Sequence, residues 1–409
     1  MTTIATPPWE PAYASRVGRM EASEIRELLK LLDQPGIISF AGGIPDPKLF
    51  PATDATTAYS AALATPASAA GALQYSVSEG YGPLRAWIAR HMVNLGVPAT
   101  DDNIVVTSGS QQGLDFLGKL LLSPADTALV CAPTYLGALQ AFSPYEPRYD
   151  TLTPERGNRT PQSYHEAAAT AAPGAKVKLA YVVSDFANPT GETLSRDARL
   201  RLLELVRELD VPLLEDAAYS ALRFDGDEQP SLQALDAAAA RSLEASRVIY
   251  LGTFSKTVAP GLRIGWICAS QALIRRLVLI KQASDLNVSV INQMVMLRLA
   301  ESQHEALIAA ARRNYRVKRD AMLAALEQHM PATVRWTKPE GGLFVWVTLP
   351  ETTNGAALLA RAVAEQNIAF VPGGAFFHDG SGANTIRLSY SLPEPAQINE
   401  GIRRLAALL

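Results

Sequence analysis

The chain has 409 residues, 48% hydrophobic and 19% charged, enough to bury a sizeable core, and this excludes a disordered chain. At about 100–200 residues per domain, its length predicts two or three domains, or one large domain with a satellite. The 37 Lys+Arg against 40 Asp+Glu leave a net charge of −3, which gives no basis for nucleic acid or an anionic membrane as partner.

The two cysteines, Cys131 and Cys268, lie in apolar runs and read as small buried hydrophobes. Residues Met1–Trp9 have neither the basic nor the apolar region of a signal peptide. No run approaches the roughly 18 apolar residues of a spanning helix. The expectation is a soluble, cytoplasmic protein of enzyme size. No metal is assigned.

Residues 1–14 are Pro-rich and read as an arm. Ile25, Leu28, Leu29 and Leu32 share one face of a predicted helix over Ser23–Leu32, which Gln34-Pro35-Gly36 ends. Ile37–Ala41 reads as a short strand running into Gly42-Gly43-Ile44-Pro45. A helix starts at Gly82-Pro83, carries Leu84, Trp87, Ile88, His91 and Leu95 at spacings of 3 and 4, and stops at Gly96. The Ala-rich stretches Ala61–Ala72 and Ala234–Ala240 read as surface helices or loops.

Short apolar strands then alternate with helices. The strands are Ile104–Thr107, Ala128–Ala132, Leu179–Val183, Val211–Leu214, Val248–Leu251 and Ile264–Ala269. The helices include Leu114–Leu122, Gly137–Phe142 and Ser195–Leu209. That pattern predicts an α/β fold, with a mostly parallel central sheet and helices on both faces. The remainder differs: a long helix over Ile291–Met330, strands at Val334–Trp336, Leu343–Thr348 and Ile386–Tyr390, and a helix at Gly355–Asn367. It reads as a smaller α+β domain. The expected divisions are 1–14 (arm), 15–49 (helix and strand packing on the small domain), 50–290 (large domain) and 291–409 (small domain).

In such a sheet ligands sit at the carboxyl ends of the strands. Ser108-Gly109-Ser110-Gln111 follows the first of them, either as an anion cradle or as an ordinary strand–helix turn. Asn188-Pro189-Thr190-Gly191 has turn chemistry, with an Asn able to donate to a ligand oxygen. Asp216, with Tyr219 three residues on, is either a buried carboxylate needing a cation or proton, or a helix N-cap. Ser255-Lys256 follows another strand, with Arg263 seven residues further. A desolvated lysine there has a lowered pKa and can bond an aldehyde. Anion cradle, carboxylate and lysine together suit pyridoxal 5′-phosphate, which has a phosphate, a basic ring nitrogen and an aldehyde.

At this point the sequence resembles the fold type I, class I/II aminotransferases, from about Val17 onward. It is most similar to the bacterial and archaeal branch of 2-aminoadipate, aromatic and branched-chain aminotransferases. Supporting stretches are Gly18-Arg19-Met20-Glu21-Ala22-Ser23, Ile38–Pro45, Leu73-Gln74-Tyr75, Glu79–Arg85, Gly109–Gln112, Lys338–Trp346 and Phe370–Gly374. The resemblance implies that Lys256 bonds the cofactor aldehyde and that Asp216 pairs with its ring nitrogen. Asn188 and Tyr219 hydrogen-bond its phenolate oxygen, and Tyr135 stacks on its ring. Ser110, Gln111, Ser255 and Arg263 hold its phosphate, with Tyr75 reaching over from the other subunit of a homodimer. Arg387 forks onto the substrate α-carboxylate, and an arginine in an apolar strand needs such an anion or an internal ion pair. Gly43 and Arg19 are assigned to the substrate, Arg19 at its side chain.

The implied activity moves an amino group between an L-amino acid and a 2-oxo acid such as 2-oxoglutarate or pyruvate. Other chemistry on the same cofactor (β-elimination, decarboxylation, oxidation) uses the same residues and stays open, as does an aminotransferase-like sensor. The sensor needs a DNA-binding module, for which the sequence offers no room. No dinucleotide glycine motif follows an early strand, which discards a nicotinamide enzyme. The sequence departs from the branch at Ser184-Asp185, Ala187, Ala217 and Asn287, and these departures bear on which substrate is used.

Overall fold

The computed structural model describes residues 8–20 and 36–409. The predicted helix at Ser23–Leu32 lies outside the described residues.

A two-residue strand, β1 (Ile38–Ser39), comes first. Strands β2 (Ile104–Thr107), β3 (Thr127–Cys131), β4 (Arg148–Leu152), β5 (Val177–Val182), β6 (Leu213–Asp216), β7 (Val248–Thr253) and β8 (Gly265–Cys268) build one seven-stranded sheet. Its order is β2-β8-β7-β6-β5-β3-β4. β8 runs antiparallel to β2 and β7, and the other pairs are parallel. Strands β2, β6, β7 and β8 are buried at every residue. That is why they read as unbroken apolar runs: both faces are covered.

Successive residues feed opposite cores. Leu214, Ile249 and Ile267 pack under the helices Ser110–Leu121 and Gln271–Gln282. Leu213 and Val248 pack under Arg196–Glu208 and Leu232–Ala240, while Tyr250 and Trp266 meet Gly82–Asn94 and the 40-residue helix Val290–His329. The start of the Arg196–Glu208 helix is set by Ser195, whose hydroxyl accepts the Ala198 N–H.

β9 (Arg335–Trp336), β10 (Phe344–Thr348), β12 (Val371–Pro372) and β13 (Thr385–Ser389) form an antiparallel sheet ordered β12-β13-β10-β9. Between them, β11 (Ile368–Ala369) pairs in parallel with β1, Ile38 opposite Ile368. The N-terminal segment is therefore joined to the C-terminal part of the chain by a two-stranded sheet of its own. A separate core of Val345, Leu388, Ile398 and Ile402 lies there.

Several elements escape the sequence pattern. β4 is an edge strand, Arg148-Tyr-Asp-Thr-Leu152, buried only at Leu152, so it has no apolar run to betray it. The helices Pro161–Ala171 and Gln271–Gln282 are likewise unmarked. The Ala-rich stretch after Ala61 resolves into the end of Ala52–Ala62 and the helix Pro66–Leu73, whose Thr65–Ser68 capping box fixes the break. No described helix is long and apolar enough to cross a membrane.

Candidate active site

A cavity of about 450 Å³ opens at the carboxyl ends of β3, β5, β6 and β7, against β10 and β13. That size suits a cofactor-sized ligand. It brings together Gly43, Ser110, Gln111, Tyr135, Asn188 and Asp216 with Tyr219, Ser255, Lys256, Arg263 and Arg387. Eleven of the thirteen sequence-predicted site residues thus line one cleft.

One end gathers backbone N–H groups and a guanidinium. Gly109, at φ 74°, turns β2 into the Ser110–Leu121 helix. The first-turn N–H groups of Ser110 and Gln111 have no carbonyl within that helix. A Cβ at Gly109 would overlap the Arg263 guanidinium, so only glycine lets the two meet. Arg263 donates to the Ser108 carbonyl at 3.1 Å and to Ser255 Oγ at 3.3 Å. Ser255 Oγ in turn accepts from the Thr253 hydroxyl at 2.9 Å. Gln111 is held by its amide, which donates to the Gly137 carbonyl at 2.7 Å.

In the middle, Lys256 Nζ donates to the Gly43 carbonyl at 3.0 Å and stands 5.7 Å from the Tyr219 ring centroid. Burial, then the Arg387 and Arg263 cations, lower its amine to about 8. Asp216 closes β6. Burial raises its carboxyl to about 6, against the Tyr181 hydroxyl, which donates to Oδ2 at 2.9 Å, and the Ala218 N–H. Burial likewise pushes the Tyr219 phenol far up. Tyr135 lines the same cleft from the start of the helix Leu136–Phe142.

The other end is cationic. Arg387, in β13 opposite Trp346 of β10, is 1% exposed. Nη1 donates to Asn188 Oδ1 at 2.7 Å and Nη2 to the Ala41 carbonyl at 2.5 Å. The guanidinium carbon stands 4.3 Å from the Phe344 ring centroid and 5.1 Å from that of Phe376. Burial lowers even this group, to about 10.

Two predicted residues lie elsewhere. Tyr75 is 79% exposed and outside the cleft. Arg19 donates to the Pro147 carbonyl at 3.2 Å, where the Ser15–Arg19 turn packs on Ser143–Tyr145. The sequence reading missed Tyr181, Thr253 and the two phenylalanines around Arg387. A buried tyrosine or phenylalanine reads as packing, so only its partner could have marked it. Of the departures, Asp185 does not line the cleft; it accepts from Arg199 at 2.7 Å and Arg223 at 3.3 Å. Ala217 packs in a core, and Asn287 donates to the Val288 carbonyl.

The family model of aminotransferases of class I and II matches residues 48–405. The chain is 42% identical to a 2-aminoadipate transaminase of Thermus thermophilus, over 98% of this chain and 97% of that one. It is 41% identical to aromatic-amino-acid aminotransferase 1 of Thermococcus litoralis, over 97% and 94%. It superposes on the crystal structure of the Thermus thermophilus alpha-aminoadipate aminotransferase in complex with N-(5′-phosphopyridoxyl)-L-leucine, with a TM-score of 0.87 at 40% identity over 98% and 97%. With the family matched across nearly its whole length, the chain belongs to the class I and II aminotransferases, an enzyme of PLP fold type I whose cofactor is pyridoxal 5′-phosphate.

Proposed function

We propose that this aminotransferase takes its amino group from an L-amino acid of the 2-aminoadipate, aromatic or branched-chain type and gives it to a 2-oxo acid such as 2-oxoglutarate or pyruvate. The observation that carries the reading is one cleft holding Lys256, Asp216 and the buried Arg387. The names of the 2-aminoadipate and aromatic-amino-acid relatives support the donor class.

The donor set fits the cofactor. The glycine-lined turn at Ser108–Gln111 with Arg263 suits a phosphate, Asp216 a ring nitrogen and Lys256 an aldehyde. Arg387 Nε, buried without a hydrogen-bond partner, suits a substrate carboxylate. When bound, pyridoxal phosphate supplies an electron sink for the pair left as the amino acid's Cα–H bond breaks.

The chain's own residues do the rest. Asp216 holds the proton at the ring nitrogen, which its anionic form favours. Asn188 and Tyr219 bind the phenolate oxygen, and Tyr135 covers the ring face. Ser110, Gln111, Ser255 and Arg263 anchor the phosphate. Arg387 and Gly43 orient the amino acid. Lys256 Nζ, once free, removes the Cα proton; an amine lowered toward 8 is partly neutral near pH 7 and able to accept it. Arg19 meets the substrate side chain, which requires the Ser15–Arg19 turn to leave Pro147.

The active unit in this reading is a homodimer, with Tyr75 reaching the partner's phosphate. Leu63, Leu73, Tyr75 and Val77 are all exposed around one segment, as an apolar surface awaiting a partner would be. The reading keeps the divisions 1–14, 15–49, 50–290 and 291–409, and a cytoplasmic location.

Lys256→Ala tests it. Both the absorbance of the lysine-bonded cofactor and amino transfer should vanish, and survival of either overturns the assignment. A panel of amino donors, scored by loss of that absorbance, then ranks the substrate types.

A further inference from the structure

We propose that Gln112, Lys281 and Asp285 are positioning residues for the cofactor's phosphate, clamping the Ser108 peptide so that the cradle keeps its shape. This rests on the reading of Ser108–Gln111 and Arg263 as the phosphate site.

The Ser108 backbone is gripped at both of its peptide groups, the one before it and the one after it. Its carbonyl accepts from Arg263. Its N–H donates to Gln112 Oε1 at 2.8 Å. Gln112 is itself fixed: Nε2 donates to Asp285 Oδ2 at 2.7 Å, and Lys281 Nζ approaches Oε1 at 3.4 Å. Lys281 Nζ also bonds both Asp285 oxygens, at 2.8 and 2.9 Å. The amide therefore cannot rotate without losing bonds at both ends.

Lys281 is unusual for a lysine in being fully buried. It lies in the last turn of Gln271–Gln282, with Nζ 5.8 Å from the centre of the Phe116 ring. Its own carbonyl accepts the N–H groups of Ser284, Asp285 and Leu286, which curls Asp285 back onto it. A buried cation needs a charged partner, and Asp285 supplies it. The groups facing Lys281 Nζ are thus Asp285, the Gln112 amide and the Phe116 ring.

Gly109 follows Ser108 directly and has no side chain to stiffen it. The direction of the Ser110 and Gln111 N–H groups then depends on how firmly the Ser108 peptide is held. Gln112 donates nothing to the phosphate in this account; it acts through Ser108.

The test titrates cofactor-free protein with pyridoxal phosphate and, separately, with pyridoxal, which lacks the phosphate, following the lysine-bonded absorbance. Gln112→Leu removes the acceptor for Ser108, and Asp285→Ala combined with Lys281→Met removes the anchor of Gln112 without stranding a buried charge. Each should weaken pyridoxal phosphate about tenfold while leaving pyridoxal within about twofold. Unchanged pyridoxal phosphate affinity in Gln112→Leu, or an equal loss of both ligands, overturns the clamp. Arg263→Ala is the reference. If it discriminates the two ligands and Gln112→Leu does not, the clamp alone fails. If Arg263→Ala does not discriminate either, the phosphate site is misplaced and the clamp falls with it.

Discussion

Arg387 and Asn188 are joined by a 2.7 Å hydrogen bond from Nη1 to Oδ1. Asn188 also hydrogen-bonds Tyr219, which opposes the rise that burial gives that phenol. One amide thus ties the cationic end of the cleft to the tyrosine beside Lys256. Asn188 and Arg387 stand 199 residues apart in the chain. Their meeting is what the packing of β13 against the end of β5 achieves.

Arg387→Lys should raise KM for the amino acid and lower kcat/KM by about 100-fold, the loss of roughly 3 kcal/mol expected when a fork of two charged hydrogen bonds is replaced by a point charge. The absorbance of bound cofactor should not change. Steady-state kinetics check this, and an unaltered kcat/KM would refute the carboxylate role.

Lys256 gives a pH dependence in the cofactor-free protein. Its amine is lowered from 10.5 to about 8, so folding favours the neutral form. That contribution is complete above 10.5 and is lost as pH falls through 10.5 toward 8. Lys256→Met should therefore be more stable than wild type at pH 7, and its advantage should shrink as pH rises past 8. Denaturant midpoints at pH 7 and 10 measure it. Arg387→Met should move the lysine's midpoint upward, because Arg387 is the second cause of its shift; a midpoint that stays put would show that the two do not interact.

The sequence displays this site unevenly, for physical reasons. Asp216 and Lys256 are visible because a charge just past a fully buried strand has no solvent to face. The buried strands are legible because covering both faces forces continuous apolar runs, whereas β4 at the edge escapes notice. Gln111, Tyr135 and Tyr219 acquire their roles from the resemblance, since a polar residue in a turn has many uses. Tyr181, Phe344 and Phe376 are hidden altogether, because only a contact far along the chain separates their roles from packing. Arg19 and Tyr75 show the opposite gap: one chain as it stands puts neither in the cleft.

Tyr181 is open to a direct check. Its hydroxyl lowers the Asp216 carboxyl against burial, so Tyr181→Phe should raise that carboxyl above about 6. In the cofactor-free protein, where no ring nitrogen faces Asp216, the titration profile of that carboxyl should move to higher pH. At neutral pH kcat should fall about tenfold, the scale of one lost charged hydrogen bond. A profile superimposable on wild type would remove Tyr181 from the site.

Asp185 separates a structural departure from a catalytic one. Its carboxylate accepts from Arg199, whose side chain is wholly buried, and from Arg223. Arg223 continues to Glu340 at 2.9 Å, between β9 and β10, and Ser184 donates to the buried Glu215 at 2.9 Å. Asp185→Ala would leave Arg199 with Glu215 at 4.0 Å and Arg223 with Glu340 as their remaining carboxylates. The expected loss is about 1.5–3 kcal/mol of stability, the scale of a charge-assisted hydrogen bond. Because Asp185 does not line the cleft, relative kcat/KM values across amino donors should not change. Chemical denaturation and a donor panel on the same variant decide between the two roles. A shifted donor preference at undiminished stability would mean that Asp185 reports on the substrate after all.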